Sequence, residues 1–260
     1  MSMRRRRILA AALASPLLPS PALARVPLAA EPIDRMTTPW WRERHEAKLA
    51  EIRRSAPNLL MLGDSITQDY EERGPPGWRD FVPVWEHFYG GRRAINLGFK
   101  GDATSHLLWR LLHGELEGMR PRAAVLLIGA NNMGAPHWGA ADTIEGIEAI
   151  LRLCRQKQPQ MGVALVSVLP SLRSAWITAT TKAINAGLAA RYGGGKVRGI
   201  GYVDVTGLFE RDGAVDSRLY MDPMLTPPAP PLHPTAQTQA RMAAMIEPAL
   251  AAMLGDAPRA

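Results

Sequence analysis

Cysteine is almost missing from this chain: among 260 residues only Cys154 is one. A single thiol cannot close an intramolecular disulfide, so packing must hold the fold together, and a cysteine inside LRLCRQ reads as part of that packing. Long hydrophobic runs are missing too. A bilayer-spanning helix needs about 20 apolar residues, and the apolar opening stretch is interrupted by Pro16, Pro19 and Pro21, so no stable membrane insertion is expected. Beyond that stretch there is no dense block of Lys and Arg and no nucleic-acid-binding motif, which leaves a polyanion-binding role with little support. His45, His87, His106, His113 and His137 show no H-E-x-x-H or comparable spacing, so neither a metal nor any other cofactor is expected. The G-x-S-x-G elbow of the α/β-hydrolases is absent as well. So are internal repeats and a second-domain linker.

What is present is an ordinary globular composition, 47% hydrophobic and 21% charged, enough for one sizeable core. Residues 1–24 have a basic head, an apolar stretch and a small-residue ending, Ala22-Leu23-Ala24. That is the form of an export signal, cleaved near Ala24, which implies a periplasmic or secreted protein. The four arginines Arg4 to Arg7 permit a twin-arginine route without requiring it. Their removal, with no acidic residue lost, lowers the formal charge from +7 to +3. Residues 25–39 read as an N-terminal extension, 40–254 as a single domain and 255–260 as a tail.

Within the domain, short apolar runs alternate with amphipathic stretches. Strands are predicted in NLLMLG, AINLG, AAVLLIGA, GVALVSVLP and GIGYVDV. Helices are predicted over residues 40–55, 105–116, 141–156, 176–193 and 236–254. Five strands with intervening helices predict a three-layer α/β/α sandwich around a flavodoxin-like, five-stranded parallel sheet. Sites in such folds lie at the carboxyl ends of the strands.

The first strand ends in LGDSIT, placing Ser65 where a helix should begin. It reads either as a helix N-cap or as a nucleophile exposed at the sheet edge. The second ends in Asn96-Leu97-Gly98, where Gly98 lets the backbone approach a ligand and offers its N–H to an oxyanion, or simply makes a turn. The third ends in IGANNM, and Asn131 can present an amide N–H to the same crevice or serve as a turn residue. His233 comes late, inside MLTPPAPPLHPTAQ, where an imidazole could reach back over the sheet edge as general base. Trp138 reads as a pocket wall or, in preference, as a ring packed on the sheet edge.

Taken together, GDSIT, NLG, GANN and the late LHP resemble the four blocks of the SGNH, or GDSL-type, hydrolases. GFKGDATSHLLWRLLHGELEGMRPRAAVLLIGANN, GIEAILRLCRQKQPQ and RDGAV are most similar to the platelet-activating factor acetylhydrolase catalytic-subunit group, and the resemblance spans nearly all of the domain. It implies a serine esterase with the SGNH hydrolase fold. Ser65 is then the nucleophile, His233 the base, and Ser65, Gly98 and Asn131 the oxyanion hole, with Gly101 and Asn132 as structural neighbours and Asp64 as a helix-start carboxylate. Small acyl esters, acetyl above all, or an acylated glycan or lipid would be substrates, and the family's subunits pair, so a homodimer is open. A noncatalytic binder of acylated glycan or lipid and an acyltransferase are the alternatives.

One position breaks the family pattern. An aspartate usually stands three residues before the histidine, and here Pro230 does. A backbone carbonyl held by the proline-restricted loop is the preferred acceptor for the His233 ring. Asp222, eleven residues earlier, is the rival, and an impaired site is the third reading.

Overall fold

The computed structural model describes residues 26–259; the export segment expected at 1–24 lies outside the described residues. The apolar runs form β1 (Leu59–Gly63), β2 (Ala94–Gly98), β3 (Ala123–Leu127), β4 (Gly162–Val166) and β5 (Ile200–Val203). They pair in parallel in the order β2-β1-β3-β4-β5, the flavodoxin-like order expected. The helices are α1 (Pro39–Ser55), α2 (Ser65–Gln68), α3 (Val82–Phe88), α4 (Thr104–Arg110), α5 (Ala140–Lys157), α6 (Ala175–Tyr192) and α7 (Ala236–Leu254).

Strand side chains alternate between faces, and here both faces are covered, which is why the strands read as unbroken apolar runs. Leu60, Leu62, Leu97, Leu126 and Leu165 face α1, α4, α5 and α6, where Ile52, Leu107, Ile147 and Ile184 meet them. Leu59, Met61, Val125 and Val166 face the other way, against Phe88 of α3 and Ile246 and Leu250 of α7. Cys154 is buried in the first of these layers, and burial pushes its thiol up to about 12.

The helix predicted over residues 105–116 is shorter than its periodicity suggests. It stops at Arg110 and opens into a wider π turn, Leu111–Glu115, where His113 (φ −106°, ψ 42°) and Gly114 (φ 107°) leave helical geometry. Only glycine takes the second of these conformations without strain. The opening turns Glu115 inward onto Arg110, and both are fully buried. Three elements are too short for periodicity to announce them: α2, α3 and the hairpin β6 (Glu210–Arg211) and β7 (Ala214–Val215). Asp212-Gly213 closes that hairpin with both φ angles positive, 52° and 79°, the geometry a two-residue turn requires.

The segments read as extension and tail pack on the domain. A 3₁₀ turn, Leu28–Ala30, buries Ala29 and Ala30 against α5, and Thr104 Oγ1 donates to the Ala29 carbonyl at 2.7 Å. At the other end, Asp256 accepts from Arg92 Nε at 2.8 Å, and the Arg259 N–H donates to Glu247. Gly146 is where the N-terminal turn touches α5: a Cβ there would lie 2.4 Å from both the Ala29 carbonyl oxygen and Thr104 Oγ1. Gly146→Ala should therefore cost about 1–3 kcal/mol through overpacking, despite alanine's better helix propensity. Denaturant melts of the two forms check this; an unchanged or raised midpoint would mean the N-terminal turn does not press on α5.

Candidate active site

β1 ends at Gly63, where a Cβ would lie 2.1 Å from Thr67 Oγ1 and 2.5 Å from the Leu127 carbonyl. Only glycine lets the chain turn this tightly into α2. Asp64 then caps the new helix, its Oδ1 accepting from the Ile66 N–H at 3.0 Å, the role read for it from sequence. Ser65 follows at the helix start. Gln239 of α7 ties that helix down from above by donating to the Ile66 carbonyl at 2.9 Å.

The late histidine reaches this serine. His233 Nε2 lies 2.9 Å from Ser65 Oγ, and Nδ1 lies 2.6 Å from Asp222 Oδ1. The acceptor on the ring is thus the rival residue, and the preferred expectation of a loop carbonyl is corrected. Asp222 Oδ2 accepts from the Leu232 and His233 N–H groups at 2.7 and 2.6 Å, and the Asp222 carbonyl accepts from the Ala229 N–H at 3.0 Å. Eleven residues of sequence therefore close into a loop around one carboxylate. Its neck is sealed by Met221 N–H donating to the His233 carbonyl, and Ser171 Oγ holds the Pro231 carbonyl from outside. A carboxylate on Nδ1 fixes the ring proton there and leaves Nε2 free to accept from the Ser65 hydroxyl.

Electrostatics follow from the same contacts. Burial pulls the His233 imidazolium down, but the Asp222 hydrogen bond and charge, with Asp69 and Asp64 beyond, outweigh it and raise the ring above its ordinary 6.5. Burial raises Asp222, yet its bonds to His233 and Leu232 leave it below the usual carboxylate value. Asp64, fully enclosed, is pushed by burial up to about 6.

The glycine expected to donate to an oxyanion is also corrected. The Gly98 N–H is already given to Asn96 Oδ1 at 2.9 Å, and its Cα packs so closely on α2 that a Cβ would lie 2.3 Å from the Gln68 nitrogen. Gly98 is a packing glycine. Three residues on, Gly101 (φ 76°) opens onto the crevice, and its N–H has no partner among the described residues. The sequence signal was the second glycine of NLGFKGD, read there as a structural neighbour.

Asn131 does face the crevice. Its Nδ2 donates to the Asp102 carbonyl at 3.0 Å and, at a longer 3.3 Å, to Asp64 Oδ2. Asn132 points away, holding the Thr104 N–H and hydroxyl. Trp138 is half-buried, bonded through its backbone N–H to the Asn132 carbonyl, and does not line the crevice. His106 accepts from the Ala103 N–H, and His113 stacks on Trp109 at 3.8 Å.

Beneath the Gly101 turn lies a buried charge cluster. Asp102 accepts from Trp41 Nε1 at 2.8 Å, Arg110 Nε at 2.9 Å and Arg35 Nη1 at 3.1 Å. Arg110 also donates to Glu115 and to the Leu97 carbonyl at 3.1 Å, and His45 Nδ1 meets Glu115 at 2.9 Å. The cluster locks the chain between β2 and α4 and so fixes both Gly101 and the carbonyl that orients Asn131. Ser65, Asn131 and His233 thus meet in one crevice of about 480 Å³.

Residues 61–241 match the GDSL-like Lipase/Acylhydrolase family, about two-thirds of the chain. The chain belongs to that family. It is 34% identical over 150 residues to platelet-activating factor acetylhydrolase IB subunit alpha2 of Gallus gallus, covering 56% of this chain and 58% of the relative. The Homo sapiens subunit is 33% identical over 151 residues with the same coverage. The chain thus spans less than two-thirds of the length of these curated relatives. Among solved structures it resembles a carbohydrate esterase family 3 protein from Talaromyces cellulolyticus (TM-score 0.57, 17% identity, 77% of this chain and 99% of that one). A GDSL-like lipase from Bacteroides thetaiotaomicron is similar in the same way (TM-score 0.56, 21% identity, 80% and 96%). At such identities these two likenesses establish the shared fold.

In this GDSL-family chain the Asp222 contact makes a direct prediction. Followed by NMR, the His233 ring should titrate above 6.5, and Asp222→Asn should bring it down, because the neutral amide removes the charge that stabilises the imidazolium. An unmoved titration would mean that Asp222 does not hold the ring.

Proposed function

We propose that this protein is an exported serine esterase that hydrolyses small acyl esters, acetyl esters foremost. The observation carrying the reading is the continuous chain Ser65 Oγ, His233 Nε2, His233 Nδ1 and Asp222 Oδ1, with contacts of 2.9 and 2.6 Å. A hydroxyl, an imidazole and a carboxylate in that order are what acyl transfer needs and what a binding protein does not.

His233 Nε2 takes the Ser65 proton as Oγ attacks the ester carbonyl, and Asp222 stabilises the imidazolium that forms. The Ser65 and Gly101 N–H groups and Asn131 Nδ2 receive the oxyanion; the long Asn131 to Asp64 bond is the one exchanged for it. His233 then protonates the departing alcohol, and water, activated by the same ring, releases the acid. The acetyl preference is supported by the relatives' name, acetylhydrolase, and export by the opening segment of residues 1–24.

A fluorophosphonate probe and a series of 4-nitrophenyl esters from acetate to octanoate test this directly. Labelling should vanish in Ser65→Ala, and turnover should be greatest with acetate. Asn131→Ala should lower kcat by about 10²- to 10³-fold and Asp222→Asn by about 10⁴-fold. A wild type that neither labels nor turns over would remove the esterase reading.

Because His233 must be neutral to accept the serine proton, kcat/KM should fall with decreasing pH, and the midpoint should lie above 6.5, following the raised ring. A pH profile flat down to pH 5 would contradict His233 as the base.

A further inference from the structure

Of the polar side chains lining the crevice that take no part in the hydrolytic steps, Asp69 is the buried one, and its Oδ2 has no donor among the described residues. Asp69 stands four residues after Ser65, and its N–H donates to the Ser65 carbonyl, so the two side chains leave the same face of one helical turn. Asp69 lines the crevice together with Ser65 and His233. It is 1% exposed, and no donor among the described residues reaches its Oδ2. The nearest cation, Lys100 Nζ, is 4.0 Å from Oδ1, beyond hydrogen-bond reach, and is drawn away to Glu72 at 2.6 Å. Arg79 is likewise spent on Glu72 at 2.5 Å.

A buried carboxyl without protein donors is rare and costly. Here burial pushes it up to about 7. A cost of this kind persists where something that visits the crevice satisfies it. The visitor's chemistry is constrained. Lys100 and Arg79 line the same crevice and would repel a third cation, and a quaternary ammonium has no N–H to give. A short acyl group carries no hydroxyl. Among the groups that an ester substrate brings, the remaining donor is a hydroxyl on the alcohol half.

We propose that Asp69 is a specificity residue: it accepts a hydrogen bond from a free hydroxyl adjacent to the scissile ester oxygen. It thereby selects partly acylated polyols, such as a sugar ring bearing one ester beside an unmodified hydroxyl, over esters of simple alcohols. This rests on the esterase reading of the same site.

The test compares 2-hydroxyethyl acetate with 2-methoxyethyl acetate on the full chain, using acetate release to obtain kcat/KM for each. The ratio within one enzyme form is independent of any general loss of activity. Wild type should favour the hydroxyl ester by about 10-fold or more, since a site built to bond a hydroxyl discriminates strongly against its absence. Asp69→Leu should bring the ratio to about 1, and Asp69→Asn, which keeps an acceptor oxygen, should retain part of it. Removing an unsatisfied buried carboxyl should leave the Tm of Asp69→Leu equal to or above wild type.

A wild-type ratio near one would show that Asp69 meets only solvent and would overturn the proposal. So would an unchanged ratio in Asp69→Leu, or a Tm lowered by more than about 5 °C, the mark of a residue the fold itself needs. The two readings fail separately. If 4-nitrophenyl acetate is hydrolysed while the ratio is near one, only the Asp69 role falls; if Ser65 neither labels nor turns over any ester, the esterase reading falls and this inference with it.

Discussion

The Asp222 carboxylate is the contact on which the catalytic arrangement depends. One oxygen holds the His233 ring and the other holds the two consecutive N–H groups of Leu232 and His233. A single side chain therefore sets both the orientation of the imidazole and the path of the backbone that carries it. The prolines around it make this possible by subtraction. Pro227, Pro228, Pro230 and Pro231 have no N–H to offer, so within residues 227–233 the only backbone donors are those of Ala229, Leu232 and His233. All three are given to Asp222. Fixed φ angles further reduce the alternatives the loop could sample before folding.

A second buried carboxylate organises the opposite wall. Asp102 gathers Arg35, Trp41 and Arg110 beneath the Gly101 turn, while its carbonyl holds Asn131. Buried ion pairs of this kind add little net stability over a well-packed apolar core, because desolvation offsets their attraction, but breaking one leaves an uncompensated charge. Here the directional bonds place a turn that apolar packing alone would leave loosely specified. The serine is the fixed point between these walls: α2 is clamped by Asp64 below and Gln239 above.

Most of the fold was legible because β1 to β4 are buried on both faces and read as apolar runs, with the half-buried β5 still apolar in sequence, while the long helices carry their period over four or more turns. The elements missed, α3 and the β6–β7 hairpin, are shorter than any period can declare; α2, equally short, was signalled only by its start at Ser65. Of the site, Ser65 and Asn131 were legible as residue types following strand ends, and His233 as a late histidine just before the last helix. Gly98 was misread because a glycine closing a strand looks the same whether it admits a ligand or, as here, a neighbouring helix; the decision lies in a 2.3 Å approach no sequence shows. Asp222 was placed second because eleven residues of chain can bring almost anything back to the histidine. Asp69 was invisible for a different reason: its peculiarity is the lack of a partner, and partners are a property of the folded molecule.

Moving the acid from its usual place three residues before the histidine to the far end of a loop has an energetic consequence. When acid and base share one short turn, local geometry enforces their contact; here the contact itself must hold the loop closed. Because Asp222 titrates below its ordinary value, its share of stability is present above about pH 4 and is lost as pH falls through the folded-state value. His233 titrates above its ordinary value, so its share is full below about 6.5 and is lost as pH rises through the raised value. The pair therefore closes the loop most firmly between roughly pH 4 and 6.5, where the ring is charged and cannot act as a base. At higher pH the neutral ring still donates Nδ1–H to a carboxylate that keeps its two backbone donors. Those donors carry no charge to lose, so the proline-enforced bonds at Leu232 and His233 keep the loop shut in the range where catalysis needs the histidine neutral.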